Sequence, residues 1–258
     1  MPPFWFLVAW SGLVGLVVGS YLNVVVHRLP EGESTVTPRS RCPRCGAPIR
    51  ARDNLPVLSW LLLKGRCRDC GEPISIRYPL LEATTGALFA GAVARYGFAL
   101  AALAAALLSA LLVVLAAIDL DHFWLPDKIT LPGIALGLVA QLLLPAGSLA
   151  RGLQGALVGA GVLLLLAGLW ELVRGVEGMG LGDVKMLAMI GAFLGGTGVV
   201  VTLVVSTLLG SLAGLALLAR GRGGMDAKLP FGVFLSAGGI FSLFAGEAVA
   251  RAYLGLFA

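Results

Sequence analysis

Apolar residues in this chain come in long, nearly unbroken runs separated by short polar joints. The runs cover about 4–26, 79–95, 98–118, 130–146, 152–173, 184–197, 199–219 and 231–250. A straight helix needs about 20 apolar residues to cross a bilayer. The pattern therefore predicts an all-α polytopic membrane protein with about eight transmembrane helices, some of them short for the task. The stretch 184–219 reads either as one long helix or as two joined at Gly195-Gly196-Thr197-Gly198.

Charge separates those two readings. The one long polar stretch, residues 27–78, carries ten Lys or Arg against five acids, and an excess of basic residues marks a cytoplasmic loop. With two helices in 184–219, sixteen basic residues fall inside and three (Arg95, Arg151, Arg251) outside. With one helix, Arg220, Arg222 and Lys228 would move outside. Two helices are expected, with both termini on the periplasmic side and the loops 119–129, 174–183 and 220–230 on the cytoplasmic side. The first run has no basic residue before it, unlike a signal peptide, and is read as a retained helix.

Composition agrees with this. The chain has 258 residues, of which 58% are hydrophobic and 13% charged, about half the charge of an average soluble domain. The net charge of +5 sits mainly in joints between apolar runs, so it does not point to nucleic acid. Small residues recur at helix-packing spacing as Gly133/Gly137, Gly155/Gly159 and Gly210/Gly214. No internal repeat is evident.

All four cysteines lie in the polar stretch, as Cys42-Pro43-Arg44-Cys45 and Cys67-Arg68-Asp69-Cys70. Paired C-x-x-C motifs at this separation fit a four-thiolate zinc site. Gly46 and Gly71 follow the pairs, where a glycine relieves the backbone as it folds round a metal. Two disulfides, or four unrelated thiols, are the other readings, and a reducing cytoplasmic loop disfavours disulfides. Four thiolates leave no position open for water, so the zinc would be structural.

Two carboxylate clusters sit at the edges of apolar runs. One is Asp119-Leu120-Asp121, with Asp127 nearby; the other is Asp183 within Gly180-Leu181-Gly182-Asp183-Val184-Lys185. Charges beside a membrane segment are by default candidates for function. Each also has a plain explanation: Asp183 caps a helix beginning at Val184, and Asp119 and Asp121 are solvated at the membrane surface. Together they suggest more. Two carboxylates on one face can share a proton, one activating a water and the other supporting a carbonyl oxygen. Gly180 and Gly182 would let a substrate backbone approach. No G-x-S-x-G or H-E-x-x-H competes, and His27 and His122 have no ligand partner in sequence.

These blocks resemble a known family, the bifunctional type IV prepilin leader peptidase/N-methyltransferases, membrane aspartic proteases of the GxGD type. The resemblance runs through Gly19-Ser20-Tyr21-Leu22-Asn23, Asp53-Asn54-Leu55-Pro56-Val57-Leu58-Ser59-Trp60, Gly65-Arg66-Cys67, Arg77-Tyr78-Pro79-Leu80-Leu81-Glu82, Ile118-Asp119 to Asp127, Gly178 to Lys185, and Leu229-Pro230-Phe231-Gly232. It implies catalytic roles for Asp119 and Asp183, with Gly180, Gly182, Lys185 and Asp127 in support and Asp121 the weakest assignment of its block. It implies prepilin or pseudopilin substrates with a basic leader cut after glycine. It also implies methylation of the new amino terminus by S-adenosyl-L-methionine, in the inner membrane of a bacterium.

The zinc loop belongs to the bifunctional form and is absent from shortened, peptidase-only members. Residues 1–26 are accordingly expected as the first membrane helix, 27–78 as a methyltransferase-associated zinc loop and 79–258 as the peptidase. No G-x-G-x-x-G follows a strand, so no residue is assigned to the methyl donor. A peptidase without methylation is the alternative. A transporter using intramembrane aspartates is a further one, for which paired broken helices or repeats would be expected.

Overall fold

The structure, a computed structural model, describes residues 2–175, 180–221 and 229–256. Among them there is no extended strand, only two isolated bridges in the cysteine loop. The helices are α1 Phe4–Arg28, α2 Leu58–Leu62, α3 Arg77–Tyr96, α4 Leu100–His122, α5 Asp127–Leu143, α6 Leu149–Arg174, α7 Leu181–Ala219 and α8 Phe231–Leu254. Five of them (α1, α4, α6, α7 and α8) are long and apolar enough to cross a membrane. The chain forms two compact units, Met1–Val114 and Leu115–Ala258. The boundary falls inside α4.

The first unit is built on α1 and α3, which run antiparallel in close contact. A Cβ on Gly15 would lie 2.8 Å from the Thr85 carbonyl, and one on Gly19 would lie 2.7 Å from Cα of Glu82. Such spacing is open only to glycine, and it lets backbones touch where lipid supplies no hydrophobic drive. Asn23 Nδ2 donates to the Tyr78 carbonyl at 3.2 Å where the pair leaves the apolar zone.

In the second unit, α7 packs against α5, α6 and α8. It is two helices in substance. Gly195 has φ 73 and ψ −177, a conformation that denies any side chain. The chain reverses there: a Cβ on Gly191 would lie 2.9 Å from Cγ2 of Val199. Eight residues along a straight helix would separate them by about 12 Å. The pair of helices favoured by the charge count is therefore present, with the turn at the first glycine of the expected joint. Arg222 and Lys228, which entered that count, lie outside the described residues.

Carbonyls on either side of the turn accept hydrogen bonds from neighbouring helices. Gln141 Nε2 of α5 donates to Phe193 O at 2.6 Å, and Ser242 Oγ of α8 donates to Gly198 O at 3.0 Å. A broken helix survives inside a membrane protein on this condition. The first half is enclosed on all sides: Met186, Leu187, Met189, Ile190 and Ala192 are 0% exposed. α6 meets it through Gly155 and Gly159, where a Cβ would strike the Gly191 and Leu187 carbonyls, and α5 through Gly137. Gly210 and Gly214 make only ordinary contacts with Phe234 and Leu229, so that pair has no close crossing to serve. On the outer face, α6 exposes Leu157, Leu165 and Leu172. It closes with the Arg174 guanidinium 5.1 Å over Trp170, a pairing suited to the membrane–water boundary.

Helix ends differ from the apolar runs in one consistent way. Asp119 and Asp121 lie inside α4, Asp127 opens α5 and Asp183 is the third residue of α7. Hydropathy marks where apolar residues stop, whereas backbone hydrogen bonding carries on into the polar flank.

Candidate active site and metal centre

Asp119 sits in the last turn of α4, the negative end of the helix dipole, where a carboxylate is least favoured. It is 5% exposed, and its Oδ2 has no hydrogen-bond partner. That oxygen faces the start of α8: a Cβ on Gly232 would lie 2.8 Å from it. The backbone of Gly232 and Val233 borders the carboxylate. Pro230 precedes α8 and leads this free helix N-terminus into the site.

Asp183 is half-buried at the start of α7. The N-cap is Gly180, whose carbonyl accepts from the Asp183 N–H at 3.2 Å, and no side chain caps the helix. The capping role open to Asp183 from sequence is therefore not the one it has. Asp119 and Asp183 line one cleft of about 500 Å³ and are near enough for their charges to interact. The cleft also takes in Phe123, Trp124, Leu125, Asp127, Gly180 and Lys185. Its size suits a short peptide segment or small ligand. Asp121 is exposed and lies outside the cleft lining.

One wall of the cleft comes from the α4–α5 joint. Phe123 takes φ 51, an uncommon conformation for a bulky residue that ends α4 at once. Its N–H donates to Asp119 O at 2.9 Å. Leu125 is then buried against Gly182, where a Cβ would come within 2.9 Å. Gly182 is thus small to admit Leu125, while a Cβ on Gly180 would meet nothing closer than 3.9 Å and leaves the cleft open. Lys185 Nζ donates to both Asp127 oxygens, at 2.7 and 2.8 Å, joining the N-termini of α5 and α7. Gly178 and Met179, which begin the sequence motif, lie outside the described residues.

The four cysteines converge in the first unit. Their Sγ atoms all lie within 4.8 Å of one another, and Cys42 and Cys70 are 3.9 Å apart. Tetrahedral thiolates on zinc stand about 3.8 Å apart, so the four can hold a metal ion. Two like-built turns make the cluster. Gly46 N–H bonds Cys42 O and Gly71 N–H bonds Cys67 O, with the glycines at φ 72 and 73. Bridges Arg41–Pro48 and Arg66–Pro73 close the turns. The pattern R-C-x-x-C-G-x-P-I occurs at 41–49 and again at 66–74, a local repeat too short and too diverged elsewhere to stand out when the whole chain is scanned.

Ion pairs tie the turns together. Arg68 grips Asp53 with contacts of 2.6 to 3.0 Å, and Arg50 reaches Asp69 at 3.4 Å. The Arg68 guanidinium holds the Asp53 carboxyl below the usual carboxylate range. Backbone N–H groups of Cys45 and Arg44 lower the Cys42 thiol to about 7. At Cys70 the Glu72 backbone favours the thiolate, but desolvation and the three other sulfurs push it up to about 12. A crowd of thiols that cannot all ionise together is the state a cation resolves.

Comparison with known proteins agrees with this arrangement. Residues 13–96 match the Bacterial Peptidase A24 N-terminal domain, and residues 106–219 match the Type IV leader peptidase family. A protein of Burkholderia pseudomallei (strain 1026b) named prepilin leader peptidase/N-methyltransferase is 43% identical over 92% of this chain and 85% of its own length. Proteins of the same name from Pseudomonas aeruginosa and Aeromonas hydrophila are 40% and 39% identical, covering 94% and 97% of this chain and 91% and 94% of their own. No solved structure matches. With a two-aspartate cleft in one unit and a four-cysteine cluster in the other, this multi-pass membrane protein belongs to the type IV leader peptidase family.

Proposed function

We propose that this chain cleaves the basic leader from type IV prepilins or pseudopilins after glycine. It then N-methylates the new terminus using S-adenosyl-L-methionine. The observation that carries the reading is the buried, unpartnered Oδ2 of Asp119 in the cleft that Asp183 also lines. An ionised Asp183 takes a proton from water as its oxygen attacks the scissile carbonyl carbon. Asp119 gives a proton to the developing oxyanion; as that intermediate collapses, Asp183 passes its proton to the amide nitrogen, Asp119 takes a proton back from a hydroxyl, and the C–N bond breaks to release the amine and the acid. The two roles are interchangeable between the aspartates. The cleft lies at the cytoplasmic face of a bacterial inner membrane, with both termini periplasmic, on the balance of basic residues between joints. Incubation of a prepilin with the protein and methyl donor, followed by mass analysis, should yield the leader-free chain heavier by one methyl group. Intact prepilin would sink the reading.

Lys185 and Asp127 act as positioning residues. Their ion pair is partly exposed, so it adds at most about 1 kcal/mol to stability. It does fix Asp183, two residues from Lys185, against the α4–α5 joint. Lys185→Met is expected to lower kcat about tenfold while leaving thermal unfolding nearly unchanged. An equal loss in stability and rate would assign the pair to folding alone.

Cys42, Cys45, Cys67 and Cys70 would hold one zinc ion. When bound, the metal supplies folding energy to a loop with little core and leaves no open coordination position. Cys42→Ser is expected to lower zinc content and to reduce methylation more than cleavage. Full methylation by a zinc-free Cys42→Ser protein would separate the loop from the second activity.

A further inference from the structure

The polar loop contains one segment that does not fit its surroundings. Residues 54–63, Asn-Leu-Pro-Val-Leu-Ser-Trp-Leu-Leu-Leu, carry no charge, although Arg50, Arg52 and Asp53 precede them and Lys64 and Arg66 follow. Leu55, Leu58, Leu61 and Leu62 are 48%, 50%, 59% and 70% exposed. Such a patch on an otherwise charged module marks contact with something apolar.

Its position says what. Val57 N–H donates to Glu82 Oε2 at 2.7 Å. Glu82 lies four residues beyond Tyr78, where Asn23 meets the α3 backbone, or about 6 Å further along the helix axis. The Glu82 backbone is itself packed against Gly19 in the apolar length of α1. Val57 also lines an apolar groove of about 410 Å³ on α1 and α3, with Leu13, Leu16, Ala83 and Gly86. The exposed leucines thus continue the apolar surface of two packed helices, one of which spans the membrane.

Several backbone groups of the segment are bonded internally, as hydrocarbon demands of polar groups. Ser59 N–H bonds Leu55 O, Leu61 N–H bonds Val57 O and Leu63 N–H bonds Ser59 O. Ser59 Oγ also turns inward to Leu55 O at 2.7 Å, and Trp60 Nε1 donates to Ile74 O at 3.0 Å. Val57 itself holds φ 60, a strained state for a β-branched residue, fixed by the carboxylate that accepts its N–H.

We propose that residues 54–63 form a hydrophobic hook that dips into the bilayer beside α1 and α3, with lipid acyl chains covering Leu58, Leu61 and Leu62. The charged residues on either side stay at the headgroups, as in other interfacial segments. Glu82 is the anchor that sets the depth of the hook, and through it the height of the cysteine cluster above the membrane.

The test uses the full, metal-loaded chain in phosphatidylcholine vesicles, with a fluorescent non-natural residue in place of Leu62. A second protein carries the same probe at Val36, exposed in the polar part of the loop. Lipids brominated midway along their chains should quench the probe at 62 by roughly twofold, and aqueous iodide should leave it nearly unchanged. The probe at 36 should show the reverse. Quenching at 62 by iodide and not by brominated lipid would overturn the proposal. Protection at 62 from both quenchers, as coverage by a second copy would give, would overturn it equally. The readout is independent of proteolysis and methylation, and zinc content checks that both labelled chains are folded.

Discussion

Asp183→Asn is expected to reduce cleavage of a prepilin by about a thousandfold or more, since it removes a group that must take or give a proton in the chemical step. Asp119→Asn should cost about as much, and the double variant little beyond either alone, because the two aspartates act as one unit. The substitution is nearly isosteric. Asp183 caps no helix, and no other packing role for its charge is evident, so zinc content and thermal unfolding should stay close to wild type. Rates for the two single variants and the double, measured on one purified prepilin, check this. A fully active Asp183→Asn protein would reduce the cleft to a structural feature.

The largest expected effect on stability lies away from the aspartates. Gly191→Leu places a side chain where the backbone of Gly155 already is and where Val199 Cγ2 stands 2.9 Å from the Cβ position. Neither helix can yield without opening the enclosed half of α7. A loss of about 3 kcal/mol or more is expected, seen as failure to recover folded protein or a collapsed thermal transition in detergent. Gly161→Ala is the matched control, on the same α6 surface system but with nothing within 4 Å of its Cβ. It should be neutral or stabilising by up to about 1 kcal/mol. Equal tolerance of both substitutions would mean that the α6–α7 crossing is looser than its contacts.

Much of this was legible in the chain. Long apolar runs report helices because lipid excludes unbonded backbone. The charge balance on either side of 184–219 required a reversal, and Gly195 supplies it. The cysteine spacing pointed to one cluster because two short turns are the simplest way to bring four thiols together. What stayed hidden depends on distances between segments far apart in sequence. Gly182 reads as a residue that admits substrate, but only the fold shows Leu125 against it. Gly12, Gly15 and Gly19 look like ordinary membrane glycines until α3 is seen lying on them. Nothing local to Val57 or Glu82 announces their hydrogen bond. The positions of Asp119 and Asp183 were readable, whereas the lone oxygen of Asp119 was not, because it depends on α8.

The turn at Gly195 has a bearing on the lipid as well. The enclosed helix before it, residues 181–194, is about 21 Å long at 1.5 Å per residue, against a hydrocarbon thickness of about 30 Å. Arg151 stands at its far end, its side chain 3.0 Å from where a Gly195 Cβ would be. A cation cannot rest comfortably in mid-hydrocarbon, and Arg151, exposed in the first turn of α6, marks the polar end of that helix. Because α5, α6 and α8 wall off that short helix, protein and not lipid bears its missing length, and the 26 residues of α6 and 24 of α8 keep the unit matched to a bilayer of ordinary thickness.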